Sequence, residues 1–258
     1  MTLDRVNFTY PGASQPALVE ASLHIPAGSV CAFVGPSGGG KTTAGRLLQR
    51  FADPSSGRVQ LNGTDIRSLP LALLRGWVGG VDQDTALLAR SVEENICLGM
   101  APQAVGEAEV AAAVRDAAAR DFIEALPGGM RALVGERGGS VSGGQRQRLC
   151  LARLLLRSPP VAIIDEGTSA LDAHTENIIL GALGLGDHWQ QGGSHALPER
   201  STRILIAHRL ASVKNADLIV YFQGGRVVEA GSPKELLARK GLFFNLWEAQ
   251  MAGAALEK

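Results

Sequence analysis

The chain has 258 residues, 45% of them hydrophobic, and its 25 basic and 25 acidic side chains cancel to a formal net charge of zero. That is enough apolar chain for one large α/β domain or a domain with an insert, and the neutral balance gives no electrostatic reason to expect a nucleic-acid partner. No stretch reaches the roughly 20 apolar residues that span a bilayer, the first residues lack a signal-peptide core, and Cys31, Cys97 and Cys150 stand far apart among apolar neighbours, so the expectation is a soluble chain with reduced core thiols.

Leu3, Val6 and Phe8 alternate loosely with polar residues and predict a strand ending in the turn Tyr10-Pro11-Gly12. Tyr10 is a core or turn aromatic, or else a platform on which a base stacks. Leu18 to Ile25 predicts a second strand. Pro26-Ala27-Gly28 then turns the chain into the apolar run Val30 to Val34. Directly after it comes Gly35-Pro36-Ser37-Gly38-Gly39-Gly40-Lys41-Thr42-Thr43, followed by a helix-forming stretch from Ala44 to Arg50. Gly35, Gly40, Lys41 and Thr42 fill the pattern G-x-x-x-x-G-K-[ST] between a buried strand and a helix, the setting of a phosphate-binding loop. Glycines let several backbone N–H groups converge on one point, and the helix adds its positive end. Lys41 supplies charge for β- and γ-phosphates, and the Thr42 hydroxyl can ligate Mg²⁺.

Asp53 to Gly57 is a turn, Arg58 to Leu61 a strand, and Asn62-Gly63 marks a tight turn. Leu69 to Arg75 predicts a short helix. Trp77 to Val81 predicts a strand, which delivers Asp82-Gln83-Asp84 at its end, the edge where such sheets meet ligands. From Thr85 to about Ser158 strand patterns vanish. Val92 to Ile96 and Val105 to Leu126 read as helices, the second with Val110, Val114, Ala117, Ala118 and Phe122 on one stripe. Ser142-Gly143-Gly144-Gln145 opens a further apolar helix, with Ser142 as its N-cap, and makes a second glycine-flanked helix start suited to an anion.

Pro159-Pro160 stops that helix, and Val161 to Ile164 runs into Asp165-Glu166. A buried strand thus delivers two carboxylates at its end: Asp165 to hold Mg²⁺ through water, Glu166 to polarise an attacking water. Asp172 leads into a helix reaching about Leu183. Residues 184–200, with His188 and His195, are glycine-rich and polar and predict a loop. Arg203 to Ala207 is a strand with His208 at its end, in reach of a γ-phosphate. Leu218 to Phe222 and Arg226 to Glu229 form a hairpin about Gly224-Gly225, and helices from Pro233 and from Leu242 to Gln250 close the chain.

The phosphate loop, Gln83, Ser142-Gly143-Gly144-Gln145, Asp165-Glu166, Ser169-Ala170-Leu171-Asp172 and His208 follow one another as in the nucleotide-binding domain of ATP-binding cassette (ABC) proteins, which nearly the whole chain resembles. Val134 to Gly138, Ala207 to Leu210 and Glu229 to Ser232 resemble exporter-type members. The resemblance implies an α/β P-loop fold: a mixed, largely parallel sheet, an N-terminal antiparallel β subdomain and a helical insert. It implies one domain over 1–258, with the core at 1–84 and 159–230, the helical subdomain at 85–158 and terminal helices at 231–258.

The resemblance further implies that ATP and Mg²⁺ bind here. Tyr10 would stack on adenine. Gly35, Ser37, Gly38, Gly39, Gly40, Lys41, Thr42 and Thr43 would hold the phosphates, and Thr42, Gln83 and Asp165 the metal. Glu166 would be the general base, with His208, Lys41 and Gln83 at the reacting phosphate. Ser142, Gly143, Gly144 and Gln145 would complete the site of a second such domain, equal or different, joined head to tail, with Asp172 near the seam. The other implied partner is a transmembrane domain, of this chain or another, which places the domain on the cytosolic, matrix or stromal face of a membrane. An importer subunit and a soluble, non-transport ATPase are the alternatives. Val141, Gly167 and Asp82 depart from the usual family residues, and the loop at 184–200 is long, but no catalytic group is replaced.

Overall fold

The computed structural model describes residues 1–82, 86–101, 105–135, 140–165, 172–185, 197–198, 200–207 and 213–256. Its strands are β1 (Thr2–Phe8), β2 (Leu18–His24), β3 (Val30–Val34), β4 (Ser56–Leu61), β5 (Thr64–Asp65), β6 (Val78–Val81), β7 (Val161–Asp165), β8 (Thr202–Ile206), β9 (Leu218–Gln223) and β10 (Arg226–Gly231). The α-helices are α1 (Lys41–Leu48), α2 (Leu71–Trp77), α3 (Val92–Ile96), α4 (Glu107–Asp116), α5 (Arg120–Ala125), α6 (Gly143–Arg157), α7 (Ala173–Ala182), α8 (Pro233–Arg239) and α9 (Leu242–Leu256). Among the described residues no helix is long and apolar enough to cross a membrane.

An antiparallel sheet runs in the order β2-β1-β4-β5. The loose alternation of β1 has a physical cause. Its pairing with β2 shifts between Leu3 and Val6, where Arg5 takes a φ of 46°. That irregularity resets the pleat, so Leu3, Val6 and Phe8 are all buried although three positions separate the first two. Asn62 and Gly63, at φ of 49° and 80°, make the two-residue turn from β4 to β5.

The second sheet is mixed, in the order β10-β9-β3-β8-β7-β6. Every residue of β3, β7 and β8 is buried, as expected of strands covered on both faces. β3 is parallel to both β8 and β9, while β9 and β10 form the antiparallel hairpin.

The chain divides into two compact units, one of Met1–Val78, Ile163–Asp165 and Arg200–Lys258, the other of Gly79–Ala162 and Glu166–Glu199. Within the second unit, α6 buries Leu149, Leu151, Leu154 and Leu155. It is tied to the start of the unit by Arg153, whose Nε donates to the Asn95 carbonyl at 2.8 Å. Asn95 is itself fully buried and donates to the carbonyls of Leu88 and Ser91. The single helix expected over 105–126 is two. Ala118 takes a left-handed φ of 50°, which separates α4 from α5, and its carbonyl accepts from Nη1 of Arg148 at 2.7 Å. Cys97 is only half-buried, so the expectation of core thiols holds for Cys31 and Cys150 alone.

Candidate functional site

Within the first unit, β3 leads straight into the phosphate loop and the loop into α1. Gly35 sits at φ 127°, and a Cβ there would run into the Phe222 carbonyl. Gly40, at φ 108°, is the N-cap of α1, and its Cβ would lie 2.9 Å from the Ala17 carbonyl and 2.8 Å from a Leu18 methyl. Both positions therefore demand glycine for backbone conformation and for close approach. The loop rests on the turn of the β9–β10 hairpin. Gly225 N donates to the Gly39 carbonyl at 3.1 Å, and Val19 N donates to Gly225 O at 2.9 Å.

Lys41 is 4% exposed. Its Nζ donates to the carbonyls of Gly35 and Pro36, each at 2.8 Å. The ammonium is thus held over the loop it would serve. Gly40 brings no side-chain cap to α1, and the first turn carries no acid, so the helix start presents positive potential without a carboxylate beside it. Thr42 is half-buried and Thr43 buried. The Tyr10 hydroxyl lies 3.2 Å from Thr43 Oγ1, and its ring meets Phe8 edge-on at 4.9 Å and 82°. With 36% of its surface exposed, Tyr10 is an aromatic ring fixed beside the phosphate loop rather than a core residue.

Asp165 ends β7 at 3% exposure. A hydroxyl and a carboxylate are hard oxygen donors, so Thr42 with Asp165 fits Mg²⁺ by donor chemistry. Just past β8, Ala207 N donates to Phe33 O at 3.1 Å. Gln83, Glu166 and His208 themselves lie outside the described residues, as do Glu136 to Gly139 and most of the loop at 184–200 with His188 and His195.

The second glycine-flanked helix start lies in the second unit. Ser142 is the N-cap of α6, and the cap is reciprocal: Ser142 Oγ accepts from Gln145 N at 3.3 Å, and Gln145 Oε1 accepts from Ser142 N at 2.9 Å. The S-x-x-Q signal for this capping box stands in the sequence, yet the sequence reading gave Ser142 the cap without its Gln145 half. Asp172 caps α7, accepting from Thr175 N at 2.9 Å and from the Thr175 hydroxyl at 2.7 Å. These bonds hold its carboxyl below the usual aspartate range. Burial pushes the thiols of Cys31 and Cys150 up, which makes both poor nucleophiles. Sequence reasoning also missed Phe222 and Gly225 as the seat of the phosphate loop. Only the pair Gly224-Gly225 hinted at it.

A family model described as "ABC transporter" matches residues 18–169. An ATP-dependent lipid A-core flippase of Thiobacillus denitrificans is 42% identical over 247 residues, 96% of this chain and 41% of the relative. Multidrug resistance protein pgp-1 of Caenorhabditis elegans is 42% identical over 251 residues, 97% of this chain and 18% of the relative. The solved structure of a bacterial Atm1-family ABC exporter with ATP bound is 40% identical with a TM-score of 0.86, over 96% of this chain and 41% of that one. The chain therefore spans less than half the length of these relatives.

Proposed function

Because this chain belongs to the ABC transporter family, we propose that it is the ATP-binding and ATP-hydrolysing motor domain of an exporter, acting through ATP-driven head-to-tail pairing with a second such domain. The observation that carries the reading is the closed phosphate loop, with the Lys41 ammonium held on its carbonyls and Gly35 and Gly40 in places no other residue fits. The likeness to an exporter solved with ATP supports it. The importer-subunit and soluble-ATPase readings are not favoured by the relatives, which are named as a flippase, a multidrug resistance protein and an exporter.

In this proposal Tyr10 stacks on the adenine, a contact worth roughly 1–3 kcal/mol. The amides from Gly38 to Thr43, with Lys41, take the phosphates. Thr42, Asp165 and Gln83 hold Mg²⁺, which supplies charge neutralisation on the phosphate oxygens. Glu166 takes a proton from the attacking water as its oxygen bonds to the γ-phosphorus and the bond to ADP breaks. His208 donates to the γ-phosphate, and Gln83 links the site to the membrane domain. Ser142, Gly143, Gly144 and Gln145 close the site of the second domain, and ADP holds the pair less well, so hydrolysis reopens it. Two closed sites related by a two-fold axis are an ordinary symmetric assembly.

The test is ATP turnover of the chain beside Glu166→Gln, with sedimentation in ATP and Mg²⁺. A slow variant that dimerises with ATP is the expected result. Turnover unchanged in Glu166→Gln removes the assignment of the base, and failure of both proteins to bind ATP removes the function.

A further inference from the structure

A cavity of about 340 Å³ lies within the second unit, between α3, α4 and α5, and none of the phosphate loop's residues lines it. That volume is in the range of small-molecule sites, roughly 300–1,000 Å³. Its floor is apolar: Val110 and Val114 of α4 and Ile123 of α5 are buried, and Met130 lies beside them. Its rim is acidic. Glu93 of α3, Glu107 of α4 and Glu124 of α5 are exposed, against one cation, Arg120. The three acidic residues come from three different helices and line one cavity, whereas helix capping in the same region uses other acids, Glu94 and Glu109.

The walls are fixed without a ligand. Arg148 of α6 holds the Ala118 carbonyl at the α4–α5 break, and Arg153 holds the Asn95 carbonyl in α3. A preformed cavity spares its occupant the entropy of ordering it. An apolar floor under an excess of negative charge selects one chemistry: an apolar body that fills the cavity and a single positive group that stays at the wet rim.

We propose that this cavity binds a compact organic cation with an apolar body. Benzylammonium is the probe and benzyl alcohol its neutral counterpart of nearly equal shape. Titration of each into the full chain, followed by the methyl resonances of Val110, Val114, Ile123 and Met130, should show benzylammonium binding about tenfold more tightly, the sum of a few exposed ion contacts. The triple variant E93Q, E107Q and E124Q should erase that preference while leaving benzyl alcohol binding unchanged. Ala111→Phe, placed at the exposed edge of α4, should block both probes with the thermal transition preserved. Equal affinity for the two probes, no binding of either, or a preference that survives the triple variant would each overturn the proposal. So would displacement by a lysine-rich peptide when benzylammonium shows no advantage, which assigns the face to a polypeptide instead.

Discussion

Two glycine-flanked helix starts, at α1 and at α6, look alike in sequence and differ in how they end. The start of α1 brings no side chain of its own to its first amides: its N-cap is Gly40. The start of α6 is closed on itself by the Ser142–Gln145 box. Both lack an acid in the first turn, whereas α3, α4, α7 and α8 each carry at least one. An anion is repelled by neither start. The difference teaches that α1 is shaped around something external to the chain. At α6 the fold is complete alone, and an incoming phosphate must compete with the helix's own cap.

The strongest break of this comparison is Gly35→Ala. Its Cβ has no place beside the Phe222 carbonyl, and its φ is left-handed, so a loss of more than about 3 kcal/mol is expected by denaturant unfolding, together with loss of ATP binding. Lys41→Ala should keep the fold by circular dichroism and lower turnover at least about a hundredfold, the usual scale for removing one electrostatic group at a reacting phosphate. Tyr10→Ala should weaken ATP affinity by roughly 1–3 kcal/mol in calorimetry, whereas Tyr10→Phe loses only the Thr43 contact and stays near the wild type.

Ser142 separates cap from ligand contact. Ser142→Ala should cost about 1 kcal/mol of stability. Ser142→Asp keeps a capping oxygen and should restore stability, yet add a repelling charge and depress turnover further. Equal turnover in Ser142→Asp and the wild type would mean that no phosphate meets this helix.

The smallest effect is in acid. Asp65 is held low by its bond to Arg67, Glu94 by Ser91, Asp172 by Thr175 and Glu235 by Ser232. Each folded value lies below the unfolded one, 3.8 for aspartate and 4.5 for glutamate. Their stabilisation is therefore whole above those values and is lost as pH falls through the lower folded ones. Asp65→Asn and Glu94→Gln should each lower the thermal midpoint slightly at pH 7, where the wild-type stabilisation is whole, and flatten its fall below about pH 5, so that variant and wild type converge in acid.

Much of this was legible in the chain. Apolar runs marked β3 and β7, Asn62-Gly63 marked a tight turn and Gly224-Gly225 its hairpin, because turn chemistry is local, while the two-residue strand β5 was too short to leave a pattern. The break at Ala118 was not, because nothing in a run of alanines marks a left-handed residue. It is accompanied by a hydrogen bond from Arg148, 30 residues away. The start of α1 was read three residues late, since Lys41-Thr42-Thr43 carries β-branched residues that lower local helix propensity. The seat of the loop on Gly225 and Phe222 joins residues far apart in the chain, Gly39 with Gly225 and Gly35 with Phe222, and no pattern of spacing records it.

The two carbonyls that hold Lys41 are tethered to the same loop, six and five residues away. They act as a competitor present at fixed, high effective concentration. A nucleotide must draw the ammonium away from them, and a weaker anion in the same place loses it back more readily. The loop thereby carries its own threshold: it discriminates by strength of pull at one nitrogen, and it resets itself when the pull ends.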